Sequence, residues 1–337
     1  MIQDAIDKIC KREDLTALES KDLFDLIFGG KVEPDQIKIL LLALAEKGES
    51  ADEILGAARS MRANMIPFFA PENTIDIVGT GGDKLGTLNI STATALLVAA
   101  CFVPVAKHGN RAASSLSGSS DVLAALGINL EPSWETLEKC MKELGIVFLF
   151  APRHHPAIRH VAAIRRELGI RTIFNFLGPL TNPANVKRHL IGVSSETFLE
   201  PLAYVLRELG SEKAWLANSA EGMDEITTTS PTKILMMTPQ TSTARGVTPE
   251  ELGLPRADLA ALKGGDAHYN AEAMRALFDG AKNAYRDVVC LNAAAALVVA
   301  DKVATLAEGL SLAEAALDKG RARQKLDDLI KLTNEKS

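Results

Sequence analysis

The chain has 337 residues, room for one large domain or two at roughly 100 to 200 residues each, so a short module is excluded. Hydrophobic residues at 47% and charged residues at 24% match ordinary globular composition and exclude a disordered chain or a fibrous repeat. A net charge of −6, from 37 Lys and Arg against 43 Asp and Glu, opposes general nucleic-acid binding while leaving room for a local basic pocket.

The first 65 residues or so read as consecutive amphipathic helices. Acids and bases are mixed at the very start (Asp4, Asp7, Lys8, Lys11, Arg12, Glu13, Asp14), unlike a secretory signal or a transit peptide, so the expected location is the cytoplasm. Ser20 is placed to cap a helix ending at Gly29 and Gly30; Pro34 suits the first turn of the next helix and Gly48 its C-terminal cap. Ser50 and Glu53 form a capping-box pattern ahead of Ile54, Leu55, Ala58 and Met61 on one helix face. After Pro67 and Pro71 come short β-branched runs at 75–78, 103–106, 146–150, 190–193, 214–217 and 234–237, alternating with helical windows, which predicts an α/β domain. The apolar stretches 95–106 and 293–300 fall short of the roughly 20 residues that cross a bilayer, so no membrane partner is expected. The last third is helical again, with 3.6-residue periodicity over 271–278, 287–300 and 311–332. Cys10, Cys101, Cys140 and Cys290 lie far apart, without the close pairs of zinc sites or redox dithiols, and are expected to be reduced and mostly buried.

Four polar clusters carry chemistry. At the end of the first strand stand Gly79, Thr80, Gly81, Gly82 and Asp83, followed by Thr87, Asn89, Ile90, Ser91 and Thr92 entering a helix. Glycines after a strand let the backbone approach an anion, and free N–H groups at a helix start favour phosphate. The spacing is neither the Walker pattern nor the dinucleotide loop. The second cluster is Lys107, His108, Gly109, Asn110 and Arg111, then Ser114, Ser115, Ser117, Ser119 and Ser120, a set suited to a polyanion at a strand's C-terminal end. The third runs from Arg153 through His154, His155, Arg159 and His160 to Arg165 and Arg166. At helical spacing His155, Arg159 and Arg166 share a face, whereas Arg165 follows Val161 and Ala162 inward and so needs an acid or a ligand. No carboxylate at ligand spacing accompanies these histidines, which argues against a metal there. Residues 175–183, with Gly178 and Pro179, read as a rigid connector. The fourth cluster is Asp224 and Glu225, adjacent carboxylates that repel unless solvated or joined by a cation such as Mg²⁺.

In this order the segments resemble the anthranilate phosphoribosyltransferases, which join anthranilate to phosphoribosyl pyrophosphate in tryptophan biosynthesis. The likeness runs nearly end to end, and the Gly-Thr-Gly-Gly-Asp, Lys-His-Gly-Asn-Arg and Asp-Glu motifs are specific in combination. The resemblance implies a small N-terminal helical domain, residues 1–70 joined by part of about 166–187. A larger α/β domain, residues 71–337, is expected to carry a central mixed sheet of the nucleoside phosphorylase/phosphoribosyltransferase type. It implies that Gly79, Thr80, Gly81, Gly82, Asp83, Thr87, Asn89, Ile90, Ser91, Thr92, Lys107 and Ser119 bind phosphoribosyl pyrophosphate. Anthranilate would lie against Gly79, Asn110, His155, Arg165, Gly178 and Pro179, with Arg165 facing its carboxylate. Ser91, Asp224 and Glu225 would hold two Mg²⁺ ions, and a homodimer is expected. Lys107 is the expected catalytic cation and His108 the nearest candidate base.

Two positions depart from the family pattern: Lys84 stands where glycine is common, and Leu116 where many members have Lys. The competing expectations are a pyrimidine nucleoside phosphorylase and a non-enzymatic paralogue that binds nucleic acid, the latter opposed by the net charge and the intact acidic pair.

Overall fold

Helix capping, hydrophobic alternation and one change of strand direction build the scaffold. The computed structural model describes residues 2–111 and 116–335, so Ser114 and Ser115 lie outside the described residues. The chain opens with α1 (Ile2–Cys10), α2 (Ala17–Phe28), α3 (Pro34–Lys47) and α4 (Ala51–Ala63). Pro34 starts α3, Gly48 ends it at φ +88, and Ser50 with Glu53 closes the capping box of α4 as the sequence predicts. The cap of α2 is Thr16 rather than Ser20: Thr16 and Glu19 exchange the reciprocal capping bonds. Ser20 lies a turn inside, fully buried, and its hydroxyl donates to Glu53 O at 2.7 Å. It is small because α4 crosses there, where a Cβ on Gly56 would come within 2.4 Å of Ala17 O.

Among the described residues seven strands follow: β1 (Ile75–Gly79), β2 (Val105–Gly109), β3 (Ile146–Phe150), β4 (Arg188–Gly192), β5 (Lys213–Ser219), β6 (Thr232–Met237) and β7 (Ser242–Val247). They form one sheet in the order β3-β2-β1-β4-β5-β6-β7. The pairings from β3 to β5 are parallel, and β6 and β7 are antiparallel, so the sheet is mixed as expected. The unforeseen strand is β7, an edge strand in which Val247 is the one buried residue; it has no apolar alternation to read.

The remaining helices cover both faces: α5 (Ile90–Ala100), α6 (Ser119–Ala125), α7 (Trp134–Lys139), α8 (Ala151–His154), α9 (Arg159–Leu168), α10 (Phe174–Leu180), α11 (Leu199–Glu208), α12 (Ala267–Phe278), α13 (Ala284–Val299), α14 (Leu306–Asp318) and α15 (Arg321–Thr333). Period-2 alternation sorts the sheet between two large cores, with a smaller third cluster of Ala106, Val147 and Leu149 against Phe68, Leu137 and Met141. Leu190, Trp215 and Ile234 pack with α5 and α13 to α15, while Ile191, Leu216 and Leu235 pack with α1 to α4 and α9 to α11. The window 311–332 is two helices because Gly320, at φ +67, turns the chain between α14 and α15. The expected connector at 175–183 is largely helix, since Pro179 falls in the last turn of α10. Cys101, Cys140 and Cys290 are buried and Cys10 is exposed, all four as free thiols.

From β1 the chain builds outward to β2 and β3 on one side, then returns to add β4 and β5 on the other. The strand order therefore reverses between β1 and β4, and their C-terminal residues, Gly79 and Gly192, pair across that point. Open α/β sheets bind ligands at this location.

Candidate active site

A cavity of about 900 Å³ opens over the switch point, and every residue that the resemblance assigns to substrate or metal lines it, whereas Ser120, Arg153, His154, His160 and Arg166 of the polar clusters do not. The loop from Gly79 to Asn89 forms one wall, with Gly81 and Gly82 at φ +67 and +82, where glycine is favoured. Lys84 holds the same left-handed region at φ +62 without being glycine. Asn89 is the residue before α5 and makes no side-chain capping bond; Ser91 is inside the helix.

Two backbone donors of this anion-binding wall are held by protein carboxylates. Gly81 N donates to Asp224 Oδ2 at 2.7 Å, and Ser91 N donates to Glu225 Oε1 at 3.1 Å. The Asp224 backbone is seated against Gly192, where a Cβ would fall 1.5 Å from Asp224 O, and a Cβ on Gly79 would fall 2.3 Å from Asp224 Oδ2. Two strand-end glycines thus create the space for the acidic pair. This is not a freely solvated acidic turn: both carboxylates are half-buried in the cavity wall and each accepts a backbone N–H across it. Desolvation, then Asp83 beside Asp224 and Asp224 beside Glu225, raises both groups well above the ordinary carboxylate range. Oxygen donors that crowd and repel in this way fit a hard cation. Among the described residues no group of three or more His, Cys, Asp or Glu encloses a metal, so a cation here would draw further oxygens from phosphate or water.

The second wall comes from β2 and α10. The Lys107 ammonium donates to Ile77 O at 2.5 Å and to Ser91 Oγ at 3.3 Å. Burial lowers its pKa, while Asp76, Glu225 and Asp224 act to raise it. Asp76 is fully buried beneath the strand, accepting from His108 N at 3.3 Å and Asn182 Nδ2 at 2.7 Å. His108 Nδ1 donates to Gly178 O at 2.9 Å, which assigns the free lone pair to Nε2. That nitrogen has no hydrogen-bond partner among the described residues, and burial pushes the imidazole down to about 4, so it is neutral at pH 7.

The His155 ring lies 5.0 Å from that of His108 and is likewise driven well below its ordinary pKa by burial. The Thr181 backbone approaches His155 without closing a hydrogen bond. Of the helical face expected for His155, Arg159 and Arg166, the two arginines stand seven residues apart in α9, but His155 is left off it because Pro156 begins a short 3₁₀ turn and α9 starts only at Arg159. Arg165 does turn inward: it lines the cavity and its guanidinium lies 5.1 Å from the Phe174 ring centroid. Asn110, Ser119, Gly178 and Pro179 complete this side. Sequence reasoning missed Lys263, which reaches the cavity by pairing with Thr87 in an isolated β-bridge. The glycine pair that follows it, Gly264 and Gly265, was the available signal for a close backbone approach.

Comparison with known proteins identifies the class first. A glycosyl transferase family helical bundle domain matches residues 3–65, and a glycosyl transferase family a/b domain matches residues 71–323. The anthranilate phosphoribosyltransferase of Methylocella silvestris is 52% identical over 330 residues, which cover 98% of this chain and 95% of that protein. The solved anthranilate phosphoribosyltransferase of Thermus thermophilus superposes with a TM-score of 0.91 at 42% identity, covering 98% of this chain and 100% of that one. The enzyme of Saccharomyces cerevisiae, solved in complex with PRPP and Mg, gives a TM-score of 0.89 at 25% identity, covering 98% and 97%. The chain belongs to the anthranilate phosphoribosyltransferase family, which decides against the nucleoside phosphorylase and the nucleic-acid-binding expectations.

Proposed function

We propose that this cavity transfers the 5-phosphoribosyl group of phosphoribosyl pyrophosphate to the amine of anthranilate, in tryptophan biosynthesis, yielding N-(5-phosphoribosyl)anthranilate and pyrophosphate. One observation carries the reading: a single cavity joins a glycine loop, a helix N-terminus, a buried lysine and an acidic pair on one side to Arg165 and two neutral histidines on the other. The first set suits a diphosphate, the second an aromatic acid.

Gly79 to Asp83, Thr87, Asn89 to Thr92, Lys107 and Ser119 bind the phosphoribosyl diphosphate. The amine attacks the anomeric carbon as the carbon–oxygen bond to pyrophosphate breaks, and the bonding pair leaves with pyrophosphate. Lys107, itself buried, and the backbone N–H groups of the loop stabilise that departing charge. Ser91, Asp224 and Glu225 hold magnesium, two ions in our reading; when bound, magnesium supplies further neutralisation of the diphosphate. Arg165 pairs with the anthranilate carboxylate, and Gly79, Asn110, His155, Gly178 and Pro179 pack about the ring. Holding the two reactants in register supplies most of the acceleration. The arylammonium formed on attack is acidic enough for His108 Nε2, the unpartnered nitrogen, to take its proton.

The helical domain is drawn as residues 1–70 with part of about 166–187, and the α/β domain as 71–337. The packing of α10 (Phe174–Leu180) with α1 to α4 supports grouping part of 166–187 with the N-terminal helices, and the same core continues into α9, α11 and one face of β4 to β6, which ties the two domains together. The homodimer reading is supported by exposed Leu18, Ile39 and Leu42 on α2 and α3, and sedimentation tests it. We place the enzyme in the cytoplasm; no helix among the described residues is long and apolar enough to cross a membrane. The activity is tested by loss of anthranilate fluorescence on adding phosphoribosyl pyrophosphate and Mg²⁺. Folded protein that consumes no anthranilate refutes the reading.

A further inference from the structure

The segment between β7 and α12 runs alongside the diphosphate loop and pairs with it through residues 262–264. Leu88 N donates to Leu262 O and Gly264 N to Gly86 O, each at 2.9 Å, with Thr87 and Lys263 paired between them. The Lys263 ammonium donates to Leu85 O at 2.9 Å. Gly264 has no room for a side chain, since a Cβ would lie 2.5 Å from Thr87 O. The chain then enters α12, where Asn270 is 1% exposed and bonded at both ends of its amide. Its Oδ1 accepts from Gly265 N at 2.8 Å, and its Nδ2 donates to Asn89 Oδ1 at 2.9 Å. From α13 the Tyr285 hydroxyl donates to Asn89 O at 3.1 Å.

These bonds set a polarity. A backbone N–H can only donate, so the Asn270 oxygen must face Gly265 and its NH₂ group must face Asn89. Asn89, which lines the cavity, is thereby forced to turn its own oxygen toward Asn270; its NH₂ group donates one hydrogen to Ser117 O at 3.4 Å and keeps a second to donate. A donor suits an anionic substrate at that wall; the flipped amide would offer it an acceptor.

We propose that Asn270, which does not line the cavity, is a positioning residue for the phosphoribosyl diphosphate substrate, acting by fixing the amide of Asn89 with its donor presented. This rests on the function proposed above. The test measures both KM values for Asn270→Ala and Asn270→Asp, in the parent and in an Asn89→Ala background, with calorimetric binding of phosphoribosyl pyrophosphate alone. Loss of one oriented hydrogen bond is expected to raise the KM and Kd for phosphoribosyl pyrophosphate about 5- to 10-fold in Asn270→Ala. The anthranilate KM is expected to stay within about twofold, since the residue acts through Asn89 alone. Asn270→Asp, which keeps the Gly265 contact but cannot donate to Asn89, is expected to be weaker still. In the Asn89→Ala background the further loss should shrink to less than about twofold, because the residue acted upon is gone.

The proposal is overturned by unchanged affinity in Asn270→Ala, by equal losses for both substrates, or by the same loss with and without Asn89. Chains that fail to fold with either substitution assign Asn270 to stability and overturn it too. A parent enzyme that turns over normally beside an unaffected variant defeats this inference alone, whereas an inactive folded parent defeats the function on which it rests.

Discussion

Replacing Gly192 by alanine removes the space on which the acidic pair depends. The new Cβ would fall 1.5 Å from Asp224 O, 2.3 Å from its carbonyl carbon and 3.1 Å from its Cα, all backbone atoms that no rotamer change can clear. Restoring ordinary contact requires the Asp224 backbone to retreat by roughly 2 Å, carrying the Asp224 carboxylate and the adjoining Glu225 with it. Overpacking of this kind costs about 1–3 kcal/mol, or a fall in Tm of several degrees in a chain of this size. A displacement of about 1 Å in a positioned group costs about 100-fold in rate, so kcat/KM for phosphoribosyl pyrophosphate should fall at least that far. The magnesium concentration for half-maximal rate should rise. Initial rates by anthranilate fluorescence at graded Mg²⁺, run well below the variant's Tm, measure both. Gly246→Ala in β7, where a Cβ meets nothing within 4 Å, is the control and should keep parental rates. Parental activity and Mg²⁺ dependence in Gly192→Ala would refute the seating of Asp224 on β4.

Other perturbations separate the remaining parts. Lys84 sits at φ +62, a conformation that costs an L side chain about 1–2 kcal/mol, while glycine in its place loses about 0.5–1 kcal/mol in chain entropy; Lys84→Gly should therefore hold or slightly raise Tm, and Lys84→Val should lower it. Arg165→Gln should raise the anthranilate KM about 10- to 100-fold with little change in that for phosphoribosyl pyrophosphate, and equal effects on both would contradict its assignment to the carboxylate. His189 is fully buried and neutral, its pKa pushed down to about 3 by desolvation with Arg62 and Lys187 adding to the effect, and its Nε2 lies 3.1 Å from Ser211 Oγ. The unfolded chain binds its proton near pH 6.5 and the folded one does not, so stability is retained above that pH and lost as pH falls toward 3, by about 1.4 kcal/mol per unit. Unfolding free energies from urea titrations at pH 7 and 5 should therefore differ by about 2 kcal/mol less in His189→Gln than in the parent, and identical pH dependence would refute the neutral burial.

Most of the site was readable because phosphate chemistry writes itself locally. Glycines after β1 and the Lys-His-Gly-Asn-Arg run at the end of β2 are contiguous segments, and both line the cavity. What escaped the sequence is non-local. Ser20 resembled a cap because nothing near it showed that α4 would cross at that point. The histidine face failed at Pro156, where a helical spacing was carried across a break. The strand β7 is exposed on a sheet edge and has no apolar rhythm, so only its pairing with β6 defines it. Lys263 and Asn270 stand in an undistinguished polar stretch, and their contacts with Leu85 and Asn89 span 178 and 181 residues. Seating Asp224 likewise needs Gly192, a single glycine at the end of an apolar run with nothing local to mark the contact.

The central claim is that the acidic pair and the loop after β1 act together on a diphosphate while Arg165 and the histidines receive anthranilate. Its most direct test follows pyrophosphate release and anthranilate consumption together, in the parent and in the Asp224→Asn, Glu225→Gln double variant. The account predicts release of one pyrophosphate per anthranilate consumed in the parent, dependent on Mg²⁺, and loss of both signals in a double variant that remains folded. A folded parent that consumes neither substrate, or a double variant that keeps parental turnover, would contradict it.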